Sequence, residues 1–147
     1  MLIPLGNGAV RMNFSLTLAV SDLEQTAAFY GELLELPVER FEPAPGHPPV
    51  LLLGRGESTI LFRESAVLEA LHPAIFQNLE RHPHGVGVTL EFSLAELSPI
   101  LKKIARRQIH ILYELADDEF SRREIWLHDP DGYLLVLCEE ASQDPPG

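Results

Sequence analysis

Cysteine occurs once in this chain, at Cys138, so no internal disulfide can form and a reducing compartment, the cytoplasm, is expected. Long apolar runs are missing. The longest, Pro49 to Leu53, is the size of a strand and far short of the about 18 residues a bilayer crossing needs. The opening stretch MLIPLGNGAVRM has no basic start followed by an apolar core, so no secretory leader is expected. Positive charge is scarce: 11 Lys and Arg stand against 22 Asp and Glu, a net charge of −11. Such a surface repels phosphate backbones and excludes nucleic acid as a partner, while it favours solubility and attracts small cations. No His-Glu-x-x-His, Gly-x-Gly-x-x-Gly or Walker sequence is present, and Gly54-Arg-Gly56 by itself reads as a turn.

What is present is an internal repeat. Phe14-Ser-Leu-Thr-Leu-Ala-Val-Ser-Asp-Leu23 and Val88-Thr-Leu-Glu-Phe-Ser-Leu-Ala-Glu-Leu97 pair position by position. Large apolar side chains alternate with small or polar ones, the period-two pattern of a strand with two different faces. Phe14, Leu16, Leu18 and Val20 make up one face, and Ser15, Thr17 and Ala19 the other, which Thr89, Glu91 and Ser93 continue in the second copy.

Each strand runs into a helix. Ser21 with Glu24 has capping-box spacing, and Leu23, Ala27, Tyr30, Leu33 and Leu34 form an apolar stripe up to Pro37. Gly31 weakens that pattern. In the second half Leu97, Ile100, Leu101, Ile104 and Ala105 make the stripe. Ser98-Pro99 competes with Ser93–Glu96 for its start. Three strands should follow each helix: Val38–Phe41, Val50–Leu53 and Thr59–Phe62, then Ile109–Tyr113, Glu124–His128 and Tyr133–Cys138. Residues 43–49 are a proline-rich loop, 117–123 a charged loop, and Asp129-Pro-Asp-Gly132 a hairpin turn. The expected plan is one α+β domain over 1–147. It holds a βαβββ module at about 12–64, a linker at about 65–85 with helix from about Pro73 to Glu80, and a second βαβββ module at about 86–140.

These motifs carry a resemblance. Leu16-Thr-Leu-Ala-Val-Ser-Asp-Leu23, Phe29-Tyr30, the second-half echo and Asp129-Pro-Asp-Gly-Tyr-Leu-Leu-Val-Leu137 look like the vicinal oxygen chelate superfamily. That superfamily includes glyoxalase I, extradiol dioxygenases, fosfomycin-resistance enzymes and bleomycin-resistance proteins. The resemblance implies two modules of curved mixed sheet around a cavity, with Phe14, Leu16, Leu18 and Val20 facing a helix and Ser15, Thr17, Ala19, Thr89, Glu91 and Ser93 facing the cavity. It also implies a homodimer and, in metal-using members, four ligands on the first and last strands of each half. Here those slots fall on Ser15, Ile60, Thr89 and Val136, hydroxyls and hydrocarbons that make poor ligands for a divalent cation. No metal and no cofactor are therefore expected.

The six histidines divide by position. His47 lies in the proline loop, and His72, His82 and His84 in the linker, where His82-Pro-His84 is more simply solvated than chelating. His110 and His128 alternate with apolar neighbours and can face the cavity; with Glu91 either would make an acid–base pair. Trp126 offers a flat face for an aromatic or cationic ligand. Tyr30 is expected in the core, Tyr133 on the surface or against a helix, and Cys138 as a small buried hydrophobe. Lys102-Lys103 and Arg106-Arg107 read as a solvated basic face. The preferred reading is a metal-independent small-molecule-binding protein with ligand contacts at Ser15, Thr17, Thr89, Glu91, His110, Trp126 and His128. The alternatives are a metal-dependent lyase, isomerase or dioxygenase, a metal-free acid–base enzyme using Glu91 with His110 or His128, and a noncatalytic partner domain.

Overall fold

The computed structural model describes residues 14–54, 58–117, 119 and 122–139. The repeated segments form β1 (Phe14–Val20) and β5 (Thr89–Leu94), each the outer strand of its own four-stranded sheet. The first sheet adds β2 (Val38–Phe41), β3 (Val50–Leu53) and β4 (Ser58–Glu64) in the order β1-β4-β3-β2. The second adds β6 (Tyr113–Asp117), β7 (Arg122–His128) and β8 (Leu134–Glu139) in the order β5-β8-β7-β6. In both, the first and last strands pair in parallel and the rest antiparallel. Parallel pairing needs a crossover, which α1 and α3 supply.

Helix α1 (Leu23–Ala27) is capped by Asp22, whose carboxylate accepts from the Glu24 and Gln25 amides; the cap is thus one residue later than the Ser21 expectation. The helix widens into a π turn over Ala28–Leu33 and closes with Glu35 left-handed (φ 57°). Leu23, Tyr30, Leu33 and Leu34 are buried as the stripe predicts. Gly31 has a packing reason: an added Cβ would stand 2.8 Å from Val38 Cγ2, so glycine lets the helix sit close on β2.

Helix α2 (Ser65–Leu71) follows β4 directly, and Leu79–Arg81 form a single tight turn. The helix expected from Pro73 to Glu80 is therefore corrected: the helical stretch precedes Pro73, and Asn78 is left-handed (φ 54°). Helix α3 (Ser98–Arg106) carries Pro99 in its first turn and buries Ile100 and Ile104. The strand expected at Ile109–Tyr113 is also corrected. Gln108 is left-handed (φ 55°), residues 109–112 form a connection, and β6 starts at Tyr113. Of the expected loop at 117–123, residues 118, 120 and 121 lie outside the described residues.

One apolar cluster runs through both modules. The Tyr30 ring lies 4.8 Å from Phe62 on β4 and 6.4 Å from Phe92 on β5, so the first helix covers both sheets. Tyr30 Oη donates to Asp129 Oδ2 at 2.7 Å, and Tyr133 Oη to the Ala19 carbonyl at 2.7 Å. Tyr133 is buried, so of the two places expected for it, on the surface or against a helix, the first does not hold, and an added Cβ on Gly85 (φ 74°) would strike its ring at 2.5 Å. The basic face of α3 is partly a clamp. Lys103 Nζ donates to Glu35 Oε1 and to the Glu32 carbonyl, each at 2.8 Å.

Candidate functional site

Strand parity builds the site. Leu18, Val20 and Leu90 point into the core, and their neighbours Ser15, Thr17, Thr89, Glu91 and Ser93 are exposed on the opposite face. Register then sorts the second sheet into rows: Thr89 with Leu134 and His128; Glu91 with Val136, Trp126 and Tyr113; Ser93 with Cys138, Glu124 and Leu115. Side chains two apart on a strand share a face, so these rows stack on one surface. In the first sheet the rows are Ser15 with Thr59, and Thr17 with Leu61, Leu52 and Glu39.

A polar network occupies the second sheet's surface. Cys138 Sγ donates to Glu91 Oε1 at 3.2 Å and lies 3.8 Å from Glu124 Oε2. Trp126 Nε1 donates to Glu124 Oε1 at 2.9 Å, and Arg122 Nη2 to Glu124 Oε2 at 3.0 Å. The Tyr113 ring meets Trp126 edge-on at 5.7 Å. The Trp126 N–H holds the Glu124 carboxyl below the usual carboxylate range, with Arg122 assisting and burial opposing. Burial, reinforced by the bond to Glu91, pushes the Cys138 thiol up to about 11, so it stays protonated at neutral pH and serves as a donor. Glu124 is buried and already accepts from Trp126, Arg122 and Cys138, whereas Glu91 is exposed and able to meet a ligand.

The expected site residues separate. Glu91 and Trp126 share one row with Val136 of β8 between them, and Thr89 is next along β5. Ser15 and Thr17 are exposed on the first sheet. His110 is not on a strand; it is exposed in the connection after α3. His128 is exposed at the end of β7, with the whole of β8 between it and β5, roughly 10 Å from Glu91's strand. Glu91 bonds Cys138 instead of either histidine, so the acid–base pair expected from these residues is not assembled. His128 lines a second cavity of about 460 Å³ with Thr89 and His84. His84 Nε2 is engaged with the Leu79 carbonyl at 3.0 Å, and His82 is exposed.

Sequence reasoning missed Glu124, Arg122, Cys138 and Tyr113 as site residues. A signal existed, since Arg122 and Glu124 share the parity of Trp126 and His128. The Cys138 link needs the register between β5, β8 and β7.

The metal slots can now be tested. Ser15, Thr89 and Val136 fall on the surface expected of them. Ile60 does not: it pairs with Leu16 and packs against the core, and the residue matching Val136 is Leu61, opposite Thr17 as Val136 is opposite Glu91. The corrected set of Ser15, Leu61, Thr89 and Val136 still offers no imidazole or carboxylate, so these four residues do not fit a divalent cation. Among the described residues no group of three or more His, Cys, Asp or Glu is placed to hold a metal ion. No helix of the described residues is long and apolar enough to cross a membrane.

Residues 14–137 match the family model described as the Glyoxalase/Bleomycin resistance protein/Dioxygenase superfamily. Similar solved structures include a virulence protein from Salmonella typhimurium, 21% identical over 96% of this chain and 100% of that one, with a TM-score of 0.57. A superfamily member from Sphaerobacter thermophilus is 17% identical over 89% and 98%, with a TM-score of 0.58. A lactoylglutathione lyase from Agrobacterium tumefaciens is 18% identical over 86% and 91%, with a TM-score of 0.52. At these identities the likeness is one of fold. No curated protein matches the chain.

Proposed function

Because the chain belongs to the Glyoxalase/Bleomycin resistance protein/Dioxygenase superfamily, we propose that it is a cytoplasmic small-molecule-binding protein that works without a resident metal or cofactor. The observation that carries this reading is Glu91. Its exposed carboxylate stands in one row with Val136, Trp126 and Tyr113, on a sheet whose two metal slots, Thr89 and Val136, hold a hydroxyl and a hydrocarbon. A carboxylate and an indole on one sheet face, about two strand spacings apart, suit a ligand that is cationic or aromatic. Ser15, Thr17 and Thr89 supply hydroxyls on the same class of surface. The single domain holds both modules, and two copies pair as a homodimer. The exposed apolar side chains Phe14, Val86, Val88 and Tyr113 give such pairing something to cover.

Calorimetry with a planar cation such as ethidium tests the binding reading. Saturable binding that survives EDTA and is weakened by Trp126→Ala and Glu91→Gln is expected. No heat at millimolar ethidium, or binding that EDTA abolishes, overturns it. Sedimentation equilibrium reads the dimer; a monomer at high protein concentration refutes that part. The reading is favoured over the acid–base alternative by the Glu91 bond to Cys138 in place of a histidine, and over the metal-dependent one by four slots without imidazole or carboxylate.

A further inference from the structure

We propose, on the footing of that reading, that the ligand is an amphiphilic cation whose apolar body sits in a cavity between β1 and β5 and whose positive group meets Glu91. The cavity measures about 540 Å³, within the range that holds drug-sized molecules. Leu16, Leu36, Leu53 and Ile60 line it from the first module, and Leu90 and Phe92 from the second. Its lining comes from both modules, with β1 and β5, the outer strands of the two sheets, on its two sides.

The wall draws on both faces of the outer strands: Leu16, Ile60, Leu90 and Phe92 come from the core face, and Thr59, Thr89 and Glu91 from the other, with Glu91 at the rim. Further along β1, Leu18 and Val20 are closed over at 5% and 0% exposure, while Leu16 and Ile60 stay half-buried around open space. Protein interiors are otherwise filled to crystal-like density, and an apolar cavity of this size favours an apolar guest over water. Among the described residues Glu91 is the one charged side chain on the wall; Ser58, Thr59 and Thr89 are its hydroxyls. The thiol of Cys138 fixes one carboxylate oxygen of Glu91. A lone carboxylate at the rim of a low-dielectric wall attracts a cation and repels an anion more strongly than it would in water. The chain's net charge of −11 acts in the same direction.

The test is calorimetry of the full-length protein with three probes that share one ring system: 1-naphthylmethylammonium, 1-naphthylmethanol and 1-naphthylacetate. The cation should bind at least tenfold tighter than the alcohol, and the anion weaker than both. Glu91→Gln should bring the cation to within twofold of the alcohol. Ile60→Trp fills the cavity and should weaken the cation at least tenfold. Ser58→Trp, at an exposed position on the mouth, should do the same if Ile60→Trp does not fold by circular dichroism. Equal affinity for cation and alcohol overturns the charge assignment. Unchanged cation binding in a folded tryptophan variant overturns the seating in the cavity, while binding on the Trp126 surface still stands. If none of the probes binds at millimolar concentration, both the inference and the reading beneath it fall.

Discussion

Cys138 shows how much one neighbour changes a side chain. The thiol looks from the sequence like a small hydrophobe at the end of an apolar run. Its register partner Glu124 and the nearby Glu91 turn it into a donor between carboxylates. Its acidity is suppressed to about 11 by burial first and by Glu91 second. Alkylation by iodoacetamide should therefore be slow at pH 8 and rise with pH towards a midpoint near 11. Glu91→Gln removes a charge that opposes the thiolate, so its midpoint should fall and its rate at pH 8 should rise. A variant profile that overlays the parent shows that Glu91 does not govern the thiol. None of this was legible beforehand, because periodicity assigns a side chain to a face and says nothing of which strand lies beside it.

At the scale of elements, strand identity was readable and helix limits were less so. β2 and β3 follow the predicted bounds because prolines, glycine and alternation punctuate them. β1 and β5 carry the repeat, and Leu18, Val20 and Leu90 are buried as the alternation predicts, whereas Phe14 and Val88 at the strand starts are exposed and the cavity takes Leu16, Leu90 and Phe92 rather than Ser15, Thr17 and Ser93. The first helix start was misjudged by one residue because Ser21 and Asp22 are both good caps; Asp22 wins by bonding two amides. Asp22→Ala should cost about 0.5–2 kcal/mol of stability, and Ser21→Ala much less, as read by urea denaturation. Equal losses would return the cap to Ser21. α2 escaped notice because Glu64 makes no side-chain cap and nothing separates β4 from the helix. β6 was placed early because Ile109 and Ile111 alternate like strand residues. They instead pack against the core from a connection that the left-handed Gln108 begins, with the Ile109 amide still bonded to the Ile104 carbonyl. Ile60 was misplaced for a related reason: a one-residue slip exchanges the faces of a strand, and only pairing with β1 settles it.

Across the whole molecule, two tyrosines tie the halves together. Asp129 is buried, which raises its carboxyl above the usual range, and the Tyr30 hydroxyl and the Tyr133 and Asp131 amides work against that rise. Tyr30→Phe leaves Asp129 Oδ2 without its donor and should cost about 1–3 kcal/mol. The pH dependence has a definite sign. A carboxyl whose folded pKa is raised penalises the folded state once it ionises, so its stability is complete below the ordinary carboxylate range and is lost as pH rises through the folded value. The raise is larger without Tyr30, so the deficit of Tyr30→Phe should be greater at pH 7 than at pH 4. Urea midpoints at the two pH values measure this, and a deficit that grows in acid would contradict it.

The segment from His72 to Asn78 is exposed apart from half-buried Phe76, whereas Tyr30, Asp129, Tyr133 and Lys103 join the two modules through side chains and a shared interior. The halves are thus held together by more than the continuity of the chain. A protease nick in that segment would leave two fragments that travel together on a sizing column, each completing the other as separate subunits would.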